Sequence, residues 1–89
     1  MTDINTGHPE NLPYIELREG KRKISFRRDC FGKIEILRKV NDGDWKLLIR
    51  KVRTPYVDEE RFPAGTKLSY EIKLEENEET KQFNFNVRL

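Results

Sequence analysis

The chain is short of nearly every residue type that small extracellular or catalytic domains lean on. Among its 89 residues there is one cysteine, one histidine, one methionine and one tryptophan. A single thiol, Cys30, closes no internal disulfide, and this leans toward a reducing compartment. One histidine without a second imidazole or thiol beside it makes no zinc site, so His8 is expected to be an ordinary exposed side chain. The five glycines are isolated from one another, which excludes a glycine-rich phosphate loop. No apolar run approaches the length of a membrane span. Residues 1–11 lack the apolar stretch and cleavage site of a secretory leader, so a cytoplasmic protein is expected. Apolar residues make up only 35% and charged residues 38%, a balance that disordered chains also show.

The arrangement of those apolar residues argues instead for a fold. They alternate with polar ones, as a sheet with one wet face requires. The clearest case is Leu68, Tyr70, Ile72 and Leu74 set against Lys67, Ser69, Glu71 and Lys73. The same period of two places Ile15 and Leu17, Ile24 and Phe26, and Ile34, Ile36 and Val40 on inner faces. It does so too for Trp45, Leu47 and Ile49, and for Phe83, Phe85, Val87 and Leu89. Leu37 falls on the opposite side of its strand. Asp42-Gly43 between two alternating runs predicts a hairpin. Tyr56-Val57 makes a further short strand, followed by a connection over 58–65 that Pro63 and Gly65 punctuate. Gly32 predicts a turn after the second strand, with Phe31 at one end of the core. Seven strands at about ten-residue spacing, with no helix, predict an all-β antiparallel sandwich or small barrel. Residues 1–11 are expected to form a flexible arm and residues 12–89 the domain.

At this level the chain resembles the fibronectin type III domain of the wider immunoglobulin-like group. Ile24-Ser25-Phe26 is similar to that family's second strand, Ile34-Glu35-Ile36-Leu37-Arg38 to its third and Trp45-Lys46-Leu47-Leu48 to its fourth. Thr54-Pro55-Tyr56-Val57-Asp58, with Pro63-Ala64-Gly65-Thr66 and Tyr70-Glu71-Ile72, is similar to the approach to its sixth strand. Phe26 stands where the family commonly has Trp, and Leu68 where it commonly has the corner Tyr. Tyr70 is therefore expected in the core or at its rim. The resemblance implies a seven-stranded immunoglobulin-like sandwich. The Arg-Gly-Asp tripeptide of some members is absent.

Chemistry is harder to find. Cys30 and His8 are the only thiol and imidazole, and His8 sits in the expected arm, where nothing positions it for catalysis. Asp58-Glu59-Glu60 and Glu75-Glu76-Asn77-Glu78-Glu79 fall on expected loops and read as solvated carboxylates. Asn41-Asp42-Gly43-Asp44 lacks the further ligands and closing Glu of a calcium loop. No catalytic set, metal or cofactor is therefore expected.

Charge is uneven although the whole chain is only +2. Residues 1–53 hold 13 Lys and Arg against 8 Asp and Glu, and residues 54–89 hold 5 against 8. Lys21, Lys23 and Arg27 share the outer face of one strand and form a candidate basic patch. They suggest nucleic acid as an alternative partner, although Tyr14 is the one outward aromatic beside them. The favoured expectation is a non-catalytic module that binds another protein or a larger assembly. Tyr14, Leu37, Leu48 and Arg53, off the expected core face, are the candidate contacts. A phage virion, as capsid decoration or a tail-associated component, is a specific setting for such a domain.

Overall fold

The computed structural model describes residues 6–7, 12–27, 34–76 and 78–89. Among these, all regular structure is β. The strands are β1 (Tyr14–Arg18), β2 (Lys21–Ser25), β3 (Ile34–Val40), β4 (Lys46–Arg50), β5 (Tyr56–Asp58), β6 (Lys67–Glu76) and β7 (Glu79–Arg88). All seven expected strands are present. His8, Cys30, Phe31 and Gly32 lie outside the described residues.

The strands form two antiparallel sheets, one ordered β1-β2-β5 and the other β4-β3-β6-β7. Local chemistry sets the joints. Glu19 and Gly20 both take positive φ, 50° and 80°, and link β1 to β2 in the two-residue turn that suits the twist of a hairpin. Asp42-Gly43 joins β3 to β4 as expected, with the Gly43 N–H donating to the Val40 carbonyl at 3.0 Å. Pro63-Ala64-Gly65-Thr66 turns into β6, closed by Thr66 Oγ1 donating to the Pro63 carbonyl at 2.7 Å. The acidic stretch after Leu74 is strand nearly throughout, because β6 and β7 stay paired out to Glu76 opposite Glu79.

One core lies between the sheets. The three-stranded sheet contributes Ile15, Ile24 and Phe26; the other contributes Ile34, Ile36, Leu68, Tyr70, Ile72, Leu74, Phe85 and Val87. Each buried aliphatic side chain of this kind is worth about 1.5–3 kcal/mol. Thr6 and Gly7, within the stretch expected to be a free arm, are held against this body. The Thr6 carbonyl accepts from the Ile15 N–H at 2.7 Å. Gly7 has φ of 79°, and a Cβ there would stand 2.9 Å from the Phe85 ring, so this position favours glycine twice over.

β4 departs from its expected orientation. The register against β3 slips between Ile36 and Leu37, pairing Ile36 with Ile49 and Leu37 with Leu47, so that Leu48 is extra. A bulge of this kind reverses which residues face inward on either side of it. Ile49 and Leu48 pack against the core, whereas Trp45 and Leu47, expected inside, are 43% and 38% exposed. Leu17, also expected inside, is 48% exposed at the open end of β1.

Candidate functional site

The inner faces carry a second feature besides apolar packing. Alternation places Arg22 on the same side of β2 as Ile24, and Arg38 on the same side of β3 as Ile36. Both arginines are buried, with Arg22 at 0% exposure. In the register, Arg22 stands opposite Asp58 on β5, and Arg38 opposite Tyr70 on β6. Two cross-strand pairs therefore face each other from the two sheets.

Their hydrogen bonds form one network. Asp58, 4% exposed, accepts from Arg38 Nη1 at both carboxylate oxygens, 3.0 and 2.8 Å. It also accepts from the Tyr70 hydroxyl at 2.6 Å and lies 3.2 Å from Arg22 Nη2. Arg22 Nε donates back to the Tyr70 oxygen at 3.0 Å. The rest of its guanidinium donates to the carbonyls of Gly20 at 2.7 Å and Glu60 at 2.6 Å. Arg38 Nη2 reaches Glu60 Oε1 at 2.9 Å. The Phe62 ring lies 4.9 Å from the Arg38 guanidinium carbon and 5.7 Å from that of Arg22, within cation–π range. Among the described residues, Arg38 Nε is the buried side-chain atom left without a hydrogen-bond partner.

Titration follows from this geometry. Burial pushes the Asp58 carboxyl up, but the hydrogen bonds from Tyr70 and Arg38 and the charges of both arginines outweigh it, so its pKa is lowered. Burial, reinforced by the bond to Asp58, raises the Tyr70 phenol far above its ordinary range. Arg38 loses hydration on burial, yet the bonds to Asp58 and Glu60 leave its pKa raised. The charged forms of Asp58 and Arg38 are thus fixed together. Both carboxylate oxygens of Asp58 are occupied, and the network is a tie between the sheets. Among the described residues no group of three or more His, Cys, Asp or Glu is placed to hold a metal ion.

The outer faces are where another molecule can make contact. Lys21 and Lys23 stand on the outer side of β2, but acids interleave with them. Lys23 is paired with Glu16 across β1, Glu16 pairs with Arg18 at 2.9 Å, and Lys21 lies 3.6 Å from Glu59. Arg27 is exposed beyond the end of β2. The strip is mixed in charge. Tyr14 shares this sheet, half-buried on β1, whereas Leu37 lies on the outer side of the other sheet; Leu48 packs against the core and Arg53 is exposed between β4 and β5. These candidates therefore do not form one surface.

A different set does. On the outer side of β3 and β4, Leu37 stands directly opposite Leu47. The alternation carries on to Lys39 and Trp45, and Lys39 Nζ lies 5.2 Å from the Trp45 ring centre. At the other end of the strip, Arg50 Nε donates to Glu35 at 2.7 Å. The β6–β7 half of the same face is polar, with Glu71, Asn84 and the bonded pair Ser69 and Asn86, 3.0 Å apart. The apolar strip thus borders an edge strand. Reading Trp45 and Leu47 as core hid it, since a bulge leaves no mark in the alternation of one strand. No family model matches the chain, and no curated protein or solved structure matches it either.

Proposed function

We propose that this chain is an immunoglobulin-like sandwich of the fibronectin type III kind, acting as a non-catalytic module that binds another protein through the outer face of β3 and β4. The fold reading is supported by seven strands split three and four. The fourth strand pairs with the third, unlike the constant-type immunoglobulin order, in which the fourth strand joins the sheet of the first, second and fifth.

The observation that carries the binding reading is Trp45 and Leu47, 43% and 38% exposed, beside Leu37 on one sheet face. Tryptophan is among the residues that dominate binding energy when a partner covers it, and apolar side chains grouped beside an edge strand are what a soluble domain otherwise avoids. A particle built of many subunits, such as a phage virion, is a fitting setting. The test places a photo-crosslinking residue at Lys39, on the same outer face as Trp45, in the source cell and identifies what is captured. The reading expects one defined protein adduct that Leu47→Ser abolishes. An adduct unchanged by Leu47→Ser and Trp45→Ala, or none at all, removes it.

A further inference from the structure

We infer that the partner of the β3–β4 face adds an extended, acidic strand along the open edge of β4; this rests on the reading above and names the chemistry of what binds. Among the described residues, β4 is hydrogen-bonded to β3 alone. The Lys51 N–H donates to the Ile34 carbonyl at 3.0 Å. The Arg50 carbonyl, on the opposite side of the same planar trans peptide, therefore points away from β3. Such outward groups recur at every second residue of an edge strand and serve as a template for another strand. From Trp45 to Lys51 every residue but Leu48 and Ile49 is exposed, so no described part of the chain covers this edge. The other edges differ. β1 meets the Thr6 carbonyl through its Ile15 N–H, β5 has only three residues, and the exposed side chains of β7 are all polar. β4 combines an open edge with Trp45 and Leu47 exposed on one face.

Charge decides what kind of strand fits. The stretch 45–52 holds Lys46, Arg50 and Lys51 and no carboxylate. Arg50 is engaged by Glu35, whereas Lys46 and Lys51 form no ion pair with any described residue. Two β4 strands side by side would each bring three cations and no acid, and like charges across a ladder are destabilising. A strand from another protein with carboxylates near its two ends neutralises Lys46 and Lys51 instead. Its apolar residues, at every second position, then continue the strip of Leu37, Leu47 and Trp45 on one face. The ladder bonds supply affinity and the alternate side chains supply selectivity.

The experiment selects peptides from a random display library on the whole chain and discards those that Leu47→Ser protein also captures. Binding of the retained peptides is read from the fluorescence of Trp45, and the fold of each variant is checked by circular dichroism. The retained peptides are expected to be acidic, with an apolar residue at every second position. Methylating their backbone nitrogens one at a time is expected to abolish binding at alternate positions only, a pattern that side-chain contact on a flat face does not produce. Lys46→Gln with Lys51→Gln is expected to weaken binding about tenfold, the scale of two exposed ion pairs. Retained peptides that are neutral or basic, that tolerate methylation throughout, or that bind the lysine variant as they bind wild type overturn the inference and leave a partner on the Trp45 face standing. If no Leu47-dependent peptide is retained while the Lys39 adduct still forms in the cell, the inference alone falls; if neither is obtained, both fall. Wild-type protein that dimerises in sedimentation velocity through a contact that Leu47→Ser breaks assigns the edge to a second copy and overturns the inference as well.

Discussion

The Tyr70 hydroxyl donates to Asp58 Oδ2 at 2.6 Å, and this bond runs from β6 in one sheet to β5 in the other. It joins the two layers at the point where Arg22 and Arg38 are also buried. Charge inside a core this small is costly unless every partner is in place. Asp58 is the carboxylate that both guanidiniums share, and its loss leaves two cations facing each other with only the partly exposed Glu60 side chain to offset them.

Asp58→Asn is therefore expected to destabilise the fold by about 3–5 kcal/mol, the range for breaking a buried ion pair on one side. Urea unfolding followed by circular dichroism measures it. A loss under about 1 kcal/mol would mean that the arginines find other partners or reach water.

Tyr70→Phe keeps the ring in the core and removes a donor to Asp58 and an acceptor from Arg22 Nε. The expected cost is about 1–3 kcal/mol, that of leaving buried partners unsatisfied. Because the two residues are in contact, combining this change with Asp58→Asn is expected to cost less than the sum of the two separate losses. Additive losses in a double-mutant cycle would show that the bond is energetically idle.

Much of this was legible in part. Alternation alone sets Arg22 in line with Ile24 and Phe26, and Arg38 in line with Ile34, Ile36 and Val40, so both arginines occupy inward positions by parity. A charged side chain is by default assigned to water, and parity alone names no partner to override that. Asp58 was obscured because it opens the run Asp58-Glu59-Glu60, which looks solvated as a whole; only the pairing of β5 with β2 separates its first member from the other two. The seven strands followed from periodicity because most keep a regular pleat. The inward face of β4 did not follow, since its bulge opposite Ile36 and Leu37 is a property of two strands and is not written in either one.

Acid should expose the same network. The Asp58 pKa is lowered in the folded state, so its contribution is present above the unfolded carboxyl value, near 4, and is lost as pH falls through the lower folded value. Stability is expected to decline below about pH 4, and Asp58→Asn is expected to flatten that decline. Tyr70 acts at the other end. Its pKa is raised by burial and by Asp58, so its contribution is intact below about pH 10 and is lost as pH rises further, when the unfolded chain ionises first. Phenolate absorbance during an alkaline titration should show one tyrosine that ionises only with unfolding, and Tyr70→Phe should remove that step.

The last prediction separates the two halves of the apolar inventory. Ile36 is fully buried at the centre of the core, and Ile36→Ala is expected to cost about 2–5 kcal/mol in urea unfolding. Leu47, two residues before the Ile49 that pairs with Ile36, lies outside, and Leu47→Ala is expected to change stability by no more than about 0.5 kcal/mol. Trp45 is the one tryptophan of the chain, so its fluorescence reports on that outer face directly. In the folded protein it should already emit as a hydrated indole and be quenched readily by iodide, with little further red shift on unfolding. A blue-shifted, quencher-resistant emission would place Trp45 inside, and a large loss on Leu47→Ala would do the same for its neighbour. Either result would restore the uninterrupted alternation of β4 and erase the apolar strip on which partner binding is proposed.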